Sequence, residues 1–178
     1  GQPFGPPGIL RPVISAGGKI ACLQEQGMIV VSPGILPEIR AYRIHDGQLL
    51  WTDSLPGFRQ IRIPLDPSGT RYSMLPPADQ QGYDQIGVFR PVSGGAILVQ
   101  SRRVISDIPR NTQEEVIDSW FLDGVSGTCL RETRTIPFLR AEAAHWAVAV
   151  QETLFPTVSA VQIPYRIRTL APDTHSGG

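Results

Sequence analysis

The sequence predicts an all-β protein built from two similar antiparallel halves, a duplicated β-sandwich or barrel or a partial propeller, with at most one helix near residues 139–154. Three observations carry this reading. Gly and Pro number 18 and 17 in 178 residues and are spread along the chain, as expected where many turns separate short strands. Apolar residues fall in strand-length stretches, some continuous and some alternating. The chain also repeats itself. Arg11-Pro12-Val13, Gly17-Gly18 and Lys19-Ile20-Ala21-Cys22-Leu23-Gln24 are echoed by Arg90-Pro91-Val92, Gly94-Gly95 and Ala96-Ile97-Leu98-Val99-Gln100. Ala41 to Trp51 is then matched by Ser119 to Leu130, with Gly47 and Gly127 lying 80 residues apart.

Residues 1–13 hold Pro3, Pro6, Pro7 and Pro12 and read as an extended arm suited to packing on another subunit. The first β repeat covers 14–75. Residues 19–24 and 28–32 read as strands around a turn at Glu25-Gln26-Gly27, the second a continuous apolar run of the kind found in buried strands. Ser32-Pro33-Gly34 breaks it. Residues 38–45 alternate, Asp46-Gly47 signals a hairpin, and Leu49 to Thr52 is the return strand. Gln60 to Leu65 alternates again before the turn Asp66-Pro67-Ser68-Gly69.

Residues 76–89 are the expected linker, and 90–170 the second β repeat. There Ile97 to Val104 reads as a strand, Asp107 to Glu114 as a polar loop, Val116 to Leu122 as a strand and Asp123 to Gly127 as a turn. Residues 139–154 fit two periods. Leu139, Ala143, Trp146, Val150 and Leu154 make a helical stripe, whereas Trp146, Val148 and Val150 make a strand face; the β character of the rest favours the strand. Residues 157–169 read as a long strand, and 171–178 as a tail.

The run from Ala41 to Trp51, through Asp46-Gly47 and Leu50-Trp51, resembles the repeat of the quinoprotein-type (PQQ-like) β-propellers. Leu122-Asp123, Ser126-Gly127 and Leu130 resemble it too, with Arg131 where the Trp would stand. The first turn reads two residues shorter than the second, and Asp173 to Gly177 resembles the start of a third. The resemblance covers about a quarter of the chain by these motifs. It implies sheets packed face to face through Leu-Trp. A complete propeller needs about four to eight blades, and this chain has strands for two or three. The family's quinone cofactor and metal ligands find no matching positions, so no cofactor is expected.

Formal net charge is zero, which sets no basic face for nucleic acid. The cations are fifteen Arg and the single Lys19, an Arg bias that suits bidentate contacts at interfaces. No apolar run is long enough to span a bilayer. The Gly-Pro N-terminus is of a kind that follows a cleaved leader, so an exported or periplasmic location is favoured. Cys22 and Cys129 either pair in an oxidising compartment or, more simply, are buried free thiols.

The sequence holds no Gly-x-Ser-x-Gly elbow, phosphate-binding Gly-Lys-Ser/Thr loop, His-Glu-x-x-His, Cys-x-x-Cys or EF-hand loop, and no catalytic or metal-binding residue is assigned. Arg102, Arg103, Asp107 and Arg110 form the candidate interaction site, a strand end and loop of mixed charge with Glu114-Glu115 beyond. The leading expectation is a non-enzymatic interaction or structural subunit of a larger protein assembly, with other proteins as partners. An exported ligand- or carbohydrate-binding β-sandwich is the second, and it requires Trp51 or Trp120 exposed as a platform. A hydrolase built from separate loops is the third, and it requires His45 or His145 beside a carboxylate inside a cleft.

Overall fold

The computed structural model describes residues 18–62, 82–92, 94–107, 112–143, 146–151 and 157–162. Eleven strands make three antiparallel sheets among them. The first sheet is a meander of β1 (Lys19–Leu23), β2 (Met28–Ser32), β3 (Glu38–Arg43) and β4 (Leu49–Ser54). The second repeats the plan with β5 (Gln85–Val92), β6 (Ala96–Asp107), β7 (Thr112–Asp123) and β8 (Cys129–Thr133). The third holds β9 (Leu139–Ala143), β10 (Trp146–Gln151) and β11 (Thr157–Gln162), in the order β11-β10-β9. The described residues contain no α-helix; residues 139–154 supply strands β9 and β10, and a single 3-10 turn lies at Gln24–Gln26. Each sheet is open rather than closed into a barrel.

The two four-stranded sheets match in detail along their last two strands. In the first, Arg40, Ala41 and Tyr42 pair with Thr52, Trp51 and Leu49, with a bulge between Ala41 and Tyr42. In the second, Trp120, Phe121 and Leu122 pair with Glu132, Arg131 and Cys129, with a bulge between Phe121 and Leu122. Every partner is displaced by 80 residues, the spacing of Gly47 and Gly127. The turns are also equal in length, which corrects the sequence reading. Gly47 N–H donates to the Arg43 carbonyl (2.9 Å) and Arg43 N–H to that of Gln48 (2.9 Å). Gly127 N–H donates to Asp123 (2.8 Å) and Asp123 N–H to Thr128 (2.9 Å). Arg43 therefore stands where Asp123 does, and Asp46 where Ser126 does. Both of the latter accept from the N–H two residues on, Asp46 from Gln48 (3.0 Å) and Ser126 from Thr128 (3.3 Å).

In the Gly-Gly half of the repetition, Gly18 does not occupy the place of Gly95, and Arg11 to Gly17 lie outside the described residues. Gly94 and Gly95 lie in the β5–β6 turn, whereas Gly18 precedes β1. The pairing registers instead set Leu23 and Met28 against Val92 and Ala96, the residues that flank the first turn of each sheet. The extra chain in the second sheet sits in β6 and β7, each of 12 residues. β5 begins at Gln85, inside the stretch expected as linker, and β7 begins at Thr112, inside the expected polar loop. Gln60 to Arg62 are not strand. The arm 1–13, residues 63–65, the turn 66–69, and residues 163–178 lie outside the described residues.

The sheets stack in sequence order, the first two with the same face forward. Ala21, Leu23, Met28, Val30, Ile39 and Ala41 of the first sheet pack on Ile86, Phe89, Ile97, Val99, Trp120 and Leu122 of the second. The other face of the second sheet, with Val88, Leu98 and Phe121, packs on Ile136, Phe138 and Leu139 at the start of the third. Burial of each Val, Leu, Ile, Met or Phe side chain among them contributes about 1.5–3 kcal/mol, so these two seams hold the sheets together. Gln100, fully buried, fixes the second seam. Its amide donates to Ser119 Oγ (3.0 Å) and the Pro137 carbonyl (3.2 Å), and its Oε1 accepts from Leu139 N–H (3.0 Å).

Candidate interaction surfaces

Trp51 carries the contact between the first two sheets. Trp51 lies beside the bulge at Ala41/Tyr42 and reaches across to the β7–β8 turn. A Cβ on Gly127 would lie 2.5 Å from Trp51 Cε3, so the indole rests directly on this backbone. The indole N–H donates to the Gly124 carbonyl (3.2 Å). Gly127 has φ +80°, a conformation that suits only glycine at low cost. Trp120 is 0% exposed, donates to the Pro56 carbonyl (3.1 Å) and meets the Phe58 ring at 6.2 Å. Both tryptophans are thus spent on packing between sheets and neither is presented as an open platform. Trp146 is placed on β10.

The sequence-derived interaction residues fall on the β6–β7 hairpin and separate into different environments. Arg102 pairs with Glu115 across the strands. Arg103 is buried, and its guanidinium holds both carboxylate oxygens of Asp84 at 2.8 Å and Asp118 at 3.4 Å. Asp107 is the last residue of β6, and Arg110 lies outside the described residues. Arg103 therefore serves the interior of the sheet rather than its surface.

Around Arg103 the structure assembles a group that sequence reasoning missed. Asp84 is fully buried and also accepts from Ser101 Oγ (3.0 Å) and Arg59 N–H (2.6 Å). Asp118 is held from its outer side by Arg134 Nε (2.5 Å), whose guanidinium pKa is raised by that hydrogen bond and by the charge of Asp118. Two buried carboxylates thus face the buried Arg103 guanidinium and the solvent-exposed one of Arg134, which balances their charge. Asp84 sits in the expected linker and Asp118 in a strand, so no local pattern announced their pairing.

The other candidates stand apart from any cleft. His45 Nε2 is 3.3 Å from Asp46 Oδ2, but His45 is 73% exposed on a turn. Hydrogen bonding from Gln48 N–H, with the neighbouring His45 and Arg43, lowers the Asp46 pKa. His145 lies outside the described residues. Both cysteines are free; Cys22 is exposed, which corrects the expectation of a buried thiol, and Cys129 is half-buried with its pKa raised by burial. No group of three or more His, Cys, Asp or Glu residues among the described residues is placed to hold a metal ion. No helix among them is long and apolar enough to cross a membrane. An open groove of about 480 Å³ is lined by Leu36, Pro37, Glu38, Thr52, Asp53 and Ser54, with Glu38 already paired to Arg40.

Comparison with family models, curated proteins and solved structures found no match. The surfaces must be read from their own geometry. One asymmetry lies on the first sheet. Its forward face is covered, while its opposite face carries Ile20 at 69% exposure and Leu49 at 46%.

Proposed function

We propose that the chain is a non-enzymatic structural or interaction subunit of a larger protein assembly, its sheets stacked as the blades of a propeller are. The observation that supports this most directly is the direction of the stack. The first sheet's forward face meets the back of the second, and the equivalent forward face of the second meets Ile136, Phe138 and Leu139, so the contact is head-to-tail and leaves an unmatched face on the first sheet. Head-to-tail contacts of this kind either close into a ring or continue onto another body. Ile20 and Leu49 on the uncovered face, and Ile44 at 51% exposure on the adjoining turn, are the apolar surface that such a contact removes from water.

The test is light scattering coupled to size exclusion on the purified chain, alone and after incubation with lysate of its source. A defined complex of fixed stoichiometry that re-forms from its purified components is the expected result. A chain that stays a monomer of its own mass and retains no protein would overturn the assembly reading.

A further inference from the structure

The occupied contact at Gly127 has an empty counterpart. Gly47 is its equivalent, with φ +70°, and a Cβ built there meets nothing within 4 Å. The carbonyl that receives the Trp51 indole belongs to Gly124, and its equivalent belongs to Ile44. Gly124 N–H donates to Gly95 (3.0 Å), and Ile44 N–H in the same way to Gly27 (2.9 Å). Turn, carbonyl and supporting bond are all duplicated, and among the described residues no indole lies over Gly47.

The face beside the turn follows the same correspondence. On the second sheet, Phe89, Ile97, Val99, Leu122 and Cys129 lie against the first sheet. By pairing register their equivalents on the first sheet are Ile20, Ile29, Val31, Tyr42 and Leu49. These five positions are apolar or aromatic and are exposed or half-buried, while the seam's Trp120 has as its equivalent Arg40, whose charge is paired with Glu38.

We propose that this face, with the open turn at Gly47, docks a further antiparallel sheet carried by a partner polypeptide, whose last strand lays a tryptophan over Gly47 and donates its indole N–H to the Ile44 carbonyl. The seam is the continuation of the one already formed between the first and second sheets, with the same donors, acceptors and register. The partner sheet presents small and branched apolar residues, as Ala21, Val30 and Ala41 do, and a tryptophan four residues after a turn glycine, as Trp51 follows Gly47. A second copy of this chain does not meet that description through its four-stranded sheets. The forward face of each is already covered, the first by the second sheet and the second by Ile136, Phe138 and Leu139.

The inference rests on the reading of the chain as an assembly subunit and names the chemistry of its partner. The probe is a sheet of known sequence. Residues 19–62 are repeated and joined through a flexible Gly-Ser linker ahead of Gly1 of the full chain, so that docking is intramolecular and helped by a millimolar effective concentration. The expected result is a Gly47 amide resonance shifted by an overlying indole, the shift also expected at Gly127, and an added indole N–H protected from exchange by about tenfold or more over a free one. Trp51→Ala in the added sheet alone, or Gly47→Asn in the full chain, abolishes both signals. Asn tolerates the left-handed backbone, so the second variant fills the site without removing the turn. An unshifted Gly47 beside an otherwise folded chain overturns the proposal, as does an indole-independent contact that survives the Trp51→Ala change. Either result leaves assembly through another surface intact, whereas a chain that captures no partner overturns the assembly reading whatever Gly47 shows.

Discussion

Two glycines at equivalent turns separate backbone strain from contact. Gly47 and Gly127 share φ values of +70° and +80°, so an alanine at either carries the same left-handed penalty, about 1–2 kcal/mol. They differ in what lies above them. Nothing approaches a Cβ at Gly47, whereas at Gly127 it falls 2.5 Å from the Trp51 ring. Gly127→Ala must therefore also displace the indole and lengthen its bond to Gly124, a loss of about 1 kcal/mol for the hydrogen bond with packing added. Urea unfolding of the two variants is the measurement. Gly127→Ala is expected to be the less stable by about 1–3 kcal/mol, and equal midpoints would show that the Trp51 contact contributes nothing to the seam.

At the scale of elements, the difference between the halves is concentrated in one hairpin. β6 and β7 run 12 residues each, while β2 and β3 manage the same position with 5 and 6. The outer part of β7, Thr112 to Glu115, is exposed, and Val104 is 41% exposed on the facing strand. The inner part holds Gln100, Ser101, Arg103 and Asp118, all buried. Replacing Ile105–Glu114 by Asn-Gly closes the hairpin at the Val104–Glu115 pair with a two-residue turn. The shortened chain is expected to melt within a few degrees of the full one, since none of the described residues it removes is buried. It also deletes Asp107 and Arg110, so partner capture that persists shows the tip of the hairpin to be dispensable for assembly.

This hairpin also marks how far the sequence was legible. Turn chemistry and strand-length apolar runs are local, and from them the strands β1 to β4, the Asp-Gly hairpin and the equivalence of Gly47 with Gly127 could be read. Phase is not local. Arg-Pro-Val and Gly-Gly occur before β1 and again at the β5–β6 turn, and nothing in a short motif tells which strand of a meander it flanks. Asp46 and Asp123 look alike for the same reason, yet the hydrogen bonds put Asp46 with Ser126. The Asp84–Arg103–Asp118–Arg134 group was hidden because its members come from a loop, two strands and a turn whose meeting depends on the completed sheet.

For the whole molecule, the duplicated faces make one consequence of the head-to-tail stack measurable without knowing the partner. Ile20 and Phe89 occupy the same place on the first and second sheets. Phe89 lies in the seam at 8% exposure, and Ile20 lies on the uncovered face at 69%. Phe89→Arg buries an unpaired charge under the first sheet, a change expected to cost more than about 4 kcal/mol and to leave the chain unfolded or aggregated. Ile20→Arg puts the same charge in water, and the urea midpoint is expected to move by the equivalent of no more than about 0.5 kcal/mol. The Ile20 variant then tests the assembly. A stable chain that no longer enters the complex formed by the unmodified protein places the partner on this face. If Ile20→Arg destabilises the isolated chain as severely as Phe89→Arg, the face is covered within the chain itself, and the head-to-tail stack has no free end there.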